Sequence, residues 1–483
     1  MSLLNRISRE QQTRQQAPAK APAGPAAPAA SATPTIPPVF RPEAVPAAPA
    51  PYVSPYPAQL HDLARDMIRS LSAMLDPGLE MKRTPKTLRA ISEKFLLVYQ
   101  QAGMQLNDTE QKQLFDLVVN EVVGFGPIQP LLDDPTVSEV MVNGPEVIYF
   151  EQKGKLYESD VHFEDDEHVM RVVERIVRPL GRRVDRKVPM VDARLPDGSR
   201  VNIVVPPAAL NGPVITIRKF PAKRLSVQDL IAYGSMTSPI ADFLQACVAS
   251  RLNIVVSGGT GSGKTTLLNV LSSFIPETER ITTIEDAAEL QLQQKHVVRL
   301  EAKPAELDGT GAITIRDLVK NSLRMRPDRI IVGEVRDGAA LDMLQAMNTG
   351  HDGSLTTVHA NTPREATKRL ETLALMAGFE LPLKVIREQI AGAVDLIIQQ
   401  ARLGDGSRRI TYISEVGGME GDVIILQDIF KYTETGRDMD GRVLGEMRPT
   451  GLRPHFSVRL EAHGFRLGAD IFGVDSGGAP RRY

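Results

Sequence analysis

Apolar side chains recur at helical spacing in three consecutive segments that begin near residue 60. Met67 and Leu71 fall on one face of the first segment, a second apolar face begins at Leu88, and a third follows Asp108, which can cap that helix. Polar residues occupy the other positions, so each helix has one face to bury. This spacing predicts a small helical bundle at residues 58–123.

The pattern changes after residue 124 to short runs with the alternation typical of β-strands, interrupted by one helical stretch. The triplet Pro196-Asp197-Gly198 separates two of these runs, and it suits a turn because proline presets φ and glycine supplies a positive φ. We predict an α+β domain at residues 124–220. Its strands are expected at 137–143, 147–152, 155–161, 191–195, 201–205 and 214–220.

Strands and helices alternate between residues 227 and 430, after a short linker at 221–226. Such alternation predicts a largely parallel sheet covered by helices. The signal weakens beyond residue 430, so we expect a partly irregular C-terminal tail at 431–483. At the other end, residues 1–57 are rich in Ala and Pro, and this composition predicts a disordered arm because it buries too little apolar surface.

The composition mainly excludes certain partners and certain kinds of site. The net charge of −2 argues against a nucleic-acid partner. The single cysteine excludes an intramolecular disulfide and a cysteine-rich metal site. No stretch approaches the roughly 18 apolar residues of a membrane-spanning helix. We therefore expect a cytoplasmic protein without transmembrane insertion, whose contact with a membrane would depend on a partner.

The most specific motif is a glycine-rich loop between a predicted strand and a predicted helix. In this context, loop amides and the helix N-terminus bind phosphates. We predict that the loop surrounds the β-phosphate of ATP, that its lysine reaches the β- and γ-phosphates, and that its last threonine ligates Mg²⁺. The motif G-x-x-x-x-G-K-T and the residue after it comprise Gly258, Gly259, Thr260, Gly261, Ser262, Gly263, Lys264, Thr265 and Thr266.

Three later predicted strands end in polar residues, at the edge where open parallel sheets bind ligands. Glu285 and Asp286 end the first, Glu334 ends the second, and His351 and His359 bracket the third. A glycine precedes Glu334 where many P-loop enzymes carry a magnesium-binding aspartate, which leaves Glu334 to orient or deprotonate the attacking water. Glu285 competes for that role, and either acid could instead cap a helix.

The order of these motifs resembles the secretion ATPase superfamily of type II, type IV and pilus systems. In that superfamily they are called Walker A, Asp box, atypical Walker B and His box. The upstream stretches 124–131 and 192–202 resemble the CpaF/TadA-type ATPases of tight-adherence pili. The resemblance covers residues 60–430 and implies an α/β fold, in which a RecA-like P-loop NTPase core follows a smaller α+β N-terminal domain.

This resemblance also implies a function. Members of the family are hexameric motors that hold ATP and Mg²⁺ between their two domains and dock on an inner-membrane platform protein. By this resemblance the chain would be a cytoplasmic ATPase, peripheral at the inner membrane, that powers assembly of a tight-adherence pilus. Whether such a motor also retracts the fibre stays open.

The resemblance assigns roles to cationic residues outside the P-loop. Family members supply positive charge to the γ-phosphate from the smaller domain, and Arg200 and Arg218 match best, with Arg194 third. Such a charge stabilises phosphoryl transfer, although each arginine could instead form a surface ion pair. Arg336 could sense nucleotide, bridge subunits or pair with the adjacent Asp337. His351 and His359 would link the state of the γ-phosphate to domain movement.

Two other functional classes remain open. The first is another type II or type IV secretion ATPase, or a nucleic-acid translocase on the same RecA-like core. Nine Tyr and no Trp give little sign of a base-stacking platform for such a translocase. The second is a nucleotide-gated scaffold with slow turnover, which the strand-end acids disfavour.

Overall fold

The computed structural model describes residues 55–76, 82–152, 154–220, 224–305 and 309–473. Most of the predicted N-terminal arm at 1–57, part of the linker at 221–226 and the last ten residues of the predicted tail lie outside these ranges. Within the described ranges, no helix is both long enough and apolar enough to cross a bilayer.

The segment that the helical spacing marks out forms three helices: α1 (Ala58–Ser72), α2 (Pro85–Gln101) and α3 (Asp108–Val122). Their apolar faces share one core, in which Leu71 and Ile91 are fully buried. One detail of the prediction is wrong. The cap of α3 is Asn107, whose side chain accepts a hydrogen bond from the Glu110 amide and whose own amide donates to the Glu110 carboxylate.

A six-stranded antiparallel sheet follows, with strand order β3-β2-β1-β6-β5-β4. Helix α5 (Asp166–Val177) covers one face, and its valines share a core with alternate residues of the strands, such as Val140, Ile203 and Ile217. The other face carries polar side chains. The strands are β1 (Val137–Asn143), β2 (Val147–Gln152), β3 (Lys155–Glu158), β4 (Met190–Arg194), β5 (Arg200–Val204) and β6 (Val214–Arg218), and the short helix α4 (Gln129–Asp133) precedes them.

The second sheet has nine strands in the order β15-β14-β13-β12-β7-β11-β10-β8-β9. The six strands from β12 to β9 are parallel, and β13, β14 and β15 extend the sheet as an antiparallel meander. The strands are β7 (Ile254–Gly258), β8 (Ile281–Glu285), β9 (Val297–Glu301), β10 (Arg329–Val332), β11 (Leu355–Val358), β12 (Leu396–Arg402), β13 (Arg408–Glu420), β14 (Val423–Arg437) and β15 (Val443–Pro449).

Helices cover both faces of this sheet. In β7, Ile254 and Val256 join one apolar core, whereas Val255 joins the core on the opposite face. A central parallel strand that is buried on both sides is the expected result of this architecture. The fold class predicted from the sequence is therefore confirmed. The helices are α6 (Val227–Ala232), α7 (Ser238–Ala249), α8 (Lys264–Ser272), α9 (Ile315–Ser322), α10 (Ala339–Asn348), α11 (Pro363–Leu375), α12 (Leu383–Ala393) and α13 (Ser457–Ala462).

The expectation of a partly irregular tail after residue 430 needs correction. Strand β14 continues through that position, β15 pairs with it, and α13 follows. The chain then returns to the core, where Phe472 is 2% exposed and packs against Phe243 and Phe430 with ring centroids 6.0 Å and 6.2 Å away. This part of the chain completes the larger domain.

Candidate nucleotide-binding site

The glycine-rich loop joins the end of the buried strand β7 to the first residue of α8. Gly261 and Gly263 have φ of +69° and +93°, a region that residues with a Cβ adopt only at a cost. Ser262 closes the loop internally, because its hydroxyl donates to the Gly259 carbonyl over 2.9 Å. The loop therefore has the compact conformation that directs main-chain amides toward a phosphate group.

Gly258 shows why the motif must begin with a glycine. A Cβ at this position would collide with the carbonyl oxygen of Gln400 on the neighbouring strand β12, and would lie 2.5 Å from the Ser262 hydroxyl. Strand β12 pairs with β7 in this register, so its backbone leaves no room for a side chain. Close packing against the sheet thus fixes where the loop begins.

Lys264 is the first residue of α8 and is only 7% exposed. Its Nζ donates to the Gly259 carbonyl over 3.0 Å and lies 3.4 Å from Nδ1 and 3.3 Å from Nε2 of His359. Burial lowers the pKa of Lys264, and the nearby Glu334 carboxylate opposes that change. The ammonium group is thus held inside the loop, next to the carboxyl ends of the parallel strands.

Glu334 follows strand β10 and contacts two cationic or titratable groups. Its Oε1 lies 3.0 Å from Nε2 of His359, and its Oε2 accepts a hydrogen bond from the Arg336 guanidinium over 2.9 Å. Arg336 also lies 3.6 Å from a carboxylate oxygen of Asp286. In the described part of the chain Arg336 pairs with these two acids rather than with Asp337, which accepts a hydrogen bond from the Ala339 amide.

Glu285 has a different environment, because it is 3% exposed at the end of β8. Its Oε2 accepts hydrogen bonds from the amides of Glu289 and Leu290 over 2.7 Å and 2.8 Å, whereas its buried Oε1 has no hydrogen-bond partner among the described residues. Burial raises the pKa of Glu285. A Cβ at Gly333 would lie 3.0 Å from Glu285 Cγ, so this position has little room for the aspartate of other P-loop enzymes.

The structure separates the two histidines that the sequence places in one motif. Strand β11 runs between them, and it is parallel to β7. His359 follows the end of β11 beside the P-loop, whereas His351 precedes its start, near Asn253 and the opposite edge of the sheet. The structure therefore places His351 away from the P-loop, because a strand of four residues carries its two flanks to opposite edges of the sheet.

The three arginines of the smaller sheet form one row. Arg194 on β4 is the register partner of Arg200 on β5, which is the partner of Arg218 on β6, which in turn pairs with Glu139 on β1. Residues directly opposite each other in antiparallel strands project from the same face. That face is the polar one, because the intervening Val201 and Ile217 point into the core.

Two members of this row reach the larger domain. Arg194 lies 3.1 Å from a carboxylate oxygen of Glu301 and donates to the Ala288 carbonyl over 3.4 Å. Arg200 contacts the carboxylate of Glu289 over 2.6 Å. Among the described residues, Arg218 forms an ion pair only with Glu139 of its own sheet, over 3.6 Å, and its side chain is 64% exposed. The structure thus brings Arg194 and Arg200 against the segment that follows the Asp box.

Other residues near the P-loop are not part of any recognised motif. Nε of Arg408 donates to the Gly261 carbonyl over 2.9 Å, and Nη1 of Arg402 lies 4.0 Å from where a Cβ at Gly261 would be. Both arginines belong to the hairpin of β12 and β13. The Gly-Asp-Gly-Ser run between these strands could have predicted that hairpin, but not its contact with a loop about 140 residues earlier.

Known proteins resemble the chain in this same region. The family model described as "Type II/IV secretion system protein" matches residues 121–409. A putative conjugal transfer protein of Mycobacterium tuberculosis is 37% identical over 324 residues, which cover 66% of this chain and 92% of that protein. Conjugal transfer protein TrbB of Rhizobium radiobacter is 37% identical over 295 residues, which cover 60% of this chain and 86% of that protein.

Among solved structures, the similar ones include the VirB11 ATPase from the Brucella suis type IV secretion system in complex with sulphate. It is 31% identical, covers 60% of this chain and 95% of that chain, and has a TM-score of 0.34. The family model spans more than half of the present chain and includes the P-loop, both strand-end acids, His359 and the arginine row. The chain therefore belongs to the type II/IV secretion system protein family.

Proposed function

We propose that the chain is a Mg²⁺-dependent ATPase motor that powers assembly of a tight-adherence pilus. One observation carries this proposal: the Lys264 ammonium is buried within a P-loop, and Arg194 and Arg200 of a second domain contact the segment after the Asp box on the same edge of the sheet. A site built from two domains lets a bound polyanion draw them together. The cationic groups from the two domains thus suit a triphosphate.

The residues at the loop can divide the chemistry among them. Lys264 would contact the β- and γ-phosphates, and Glu334 next to it would orient the attacking water. Thr265, half-buried in the first turn of α8, and the carboxylate of Asp286 offer the oxygen ligands that Mg²⁺ prefers, with phosphate and water completing the set. Bound Mg²⁺ would neutralise charge that develops on the phosphate oxygens. Glu285, more deeply buried, is the competing base.

The arginine row can exchange its partners. The ion pairs of Arg194 with Glu301 and of Arg200 with Glu289 are between about a third and a half exposed, and pairs of this kind contribute only about 0–1 kcal/mol. A γ-phosphate with its higher charge and several acceptor oxygens would compete well with one carboxylate. Transfer of guanidinium groups from acid to phosphate would close the smaller domain over the site, and hydrolysis would release it.

The assembly and the partner of the motor extend this proposal. The resemblance of residues 124–131 and 192–202 to CpaF/TadA-type proteins supports a homohexamer that docks on an inner-membrane platform protein. Residues 124–131 join the helical bundle to the smaller sheet, and in the hexamer this junction would transmit the closure of each site. The chain would then be cytoplasmic and peripheral at the membrane.

A second candidate function comes from the names of the relatives. Two of them are described as conjugal transfer proteins, which favours a motor of a type IV secretion machine over one of a pilus. Both candidates share the ATPase site and differ in the platform that they engage. Deletion of the gene in its own host separates them. Cells that lack a pilus motor lose surface fibres, whereas cells that lack a conjugation motor lose plasmid transfer.

The ATPase proposal is tested by phosphate release from purified protein with Mg-ATP. Lys264→Ala is expected to lose turnover, since the ammonium group that faces the phosphates is removed. Lys368→Ala, an exposed lysine on α11, is the matched control and should keep the parent rate. Equal turnover by parent and Lys264→Ala would refute the assignment. Images with a non-hydrolysable ATP analogue would separately test the sixfold ring.

A further inference from the structure

The hairpin of β12 and β13 packs against the P-loop. Strand β12 lies directly beside β7, with Gln400 paired to Gly258. The hairpin then turns and returns Arg408, the first residue of β13, to the same loop. Two strands that are distant in sequence from the P-loop therefore pack along one side of it.

Arg408 makes the most direct contact. Its Nε donates to the main-chain carbonyl of Gly261 over 2.9 Å, and its Cδ would lie 3.2 Å from a Cβ at Gly263. Gln400 approaches the same glycine, with its Nε2 also 3.2 Å from that position. The side chains of Arg408 and Gln400 thus enclose Gly263, and the Gly261 carbonyl is held toward the hairpin.

Fixing a carbonyl also fixes the amide on the other side of the same peptide plane. The carbonyl of Gly261 and the amide of Ser262 belong to one planar unit, so they point in opposite directions. Because Arg408 holds the carbonyl toward the hairpin, the Ser262 amide is turned away from the hairpin, and it donates across the loop to the Gly259 carbonyl over 3.4 Å. Gly261 has no Cβ, so its side of this unit would otherwise rotate at little cost.

We propose that Arg408 is a positioning residue for the β-phosphate: it acts through the Gly261 carbonyl and keeps the Ser262 amide aimed into the loop. This inference rests on the proposed function, because it assumes that the loop binds a nucleotide. Arg408 need not touch the nucleotide. Its role is to remove a rotational freedom that phosphate binding would otherwise have to restrict.

The test compares binding of fluorescent ADP and AMP analogues to the full chain. Arg408→Met keeps the apolar stem beside Gly263 but removes the donor, and Arg408→Lys keeps a cationic donor. We expect Arg408→Met to weaken ADP binding about fivefold, the effect of losing one charge-assisted hydrogen bond at an exposed site. AMP lacks a β-phosphate, so its binding should change by less than about twofold. Arg408→Lys should recover most of the ADP affinity.

The control is Arg442→Ala, which removes an exposed arginine from the turn between β14 and β15 and should bind both nucleotides as the parent does. Unchanged ADP affinity in Arg408→Met would overturn the inference. Equal losses in the Met and Lys variants, or equal losses for ADP and AMP, would also overturn it, since they indicate a packing role. If the parent binds no ADP, the proposed function fails first, and the inference fails with it.

Discussion

Nε2 of His359 lies 3.0 Å from the Oε1 carboxylate oxygen of Glu334. Nζ of Lys264 lies 3.4 Å from Nδ1 and 3.3 Å from Nε2 of the same ring. Because an ionised carboxylate can only accept, the contact with Glu334 requires a proton on Nε2, and Nδ1 is then the acceptor that faces the lysine in the neutral ring. Burial, and then the charge of Lys264, lower the pKa of His359, which favours this neutral form. One imidazole thus connects the P-loop to the strand-end acid.

Removing this connection should slow catalysis. His359→Ala is expected to reduce kcat roughly 10- to 100-fold, because Glu334 loses the donor that orients it and a hydrogen bond to a charged group contributes about 1.5–3 kcal/mol. Affinity for ADP should change little. Steady-state ATP hydrolysis and ADP titration measure the two quantities. His351→Ala is the matched control, since this histidine lies at the opposite edge of the sheet. A similar loss of kcat in both variants would contradict the assignment.

The arginine row should affect turnover more than binding. Arg200→Ala and Arg218→Ala are each expected to lower kcat, toward the roughly 10³- to 10⁵-fold of an arginine finger for whichever residue reaches the γ-phosphate. ADP has no γ-phosphate, so its affinity should be close to that of the parent. Arg186→Ala, an exposed residue of the same domain, serves as the control. Full activity in a variant would remove that arginine from the site.

Glu285 should make stability depend on pH. Burial raises its pKa in the folded protein, so the folded state holds this proton more tightly than the unfolded state. The parent therefore loses stability as pH rises from the ordinary glutamate pKa of about 4.5 through the higher folded value, and above that range the cost is fully present. Glu285→Gln lacks this dependence.

Thermal unfolding of parent and Glu285→Gln between pH 5 and pH 8 measures the effect. The variant should gain stability relative to the parent as pH rises, while it loses ATPase activity if the carboxylate serves in catalysis. Glu110→Gln, an acid of the α3 capping box, is a control because it lies in the helical bundle. A difference between parent and Glu285→Gln that does not vary with pH would contradict the buried, proton-retaining carboxyl.

The C-terminal segment should be needed for stability. Phe472→Ala is expected to cost about 3–5 kcal/mol, because it leaves a cavity among Phe243, Phe430 and their neighbours. Urea unfolding followed by circular dichroism measures this cost. Phe379→Ala removes a ring that is 53% exposed and should cost less than about 1 kcal/mol. Equal effects of the two substitutions would show that the segment is not part of the core.

The parts of the site that the sequence predicts consist of residues that are close together in the sequence. The P-loop requires only a strand, a glycine loop and a helix in succession, so its residues Gly258 to Thr265 are readable without tertiary information. The sequence also predicts the strand that lies between His351 and His359, so the position of the two histidines at opposite edges of the sheet could have been predicted from that strand. Arg408 was inaccessible, since its contact with Gly261 depends on which strands are neighbours in the sheet.

The C-terminal strands escaped prediction for a different reason. Most of the residues from Lys431 to Arg437 are exposed, so β14 has no continuous apolar alternation in its second half. Without a buried face, the hydrophobic pattern that identifies a strand is missing. The helical bundle is the opposite case, since its helices bury a face at each turn and their positions followed directly from the spacing.

The alignment of Arg194, Arg200 and Arg218 has a mechanical consequence. Their strands are joined by backbone hydrogen bonds, so the Cα atoms of the three arginines move together. The guanidinium groups can move separately only within the flexibility of their side chains. A hinge motion of the smaller sheet would deliver or withdraw all of this positive charge in a single stroke. Binding and hydrolysis of the terminal phosphate would then displace the smaller sheet as a rigid body, with no intermediate in which only part of the arginine row is in place.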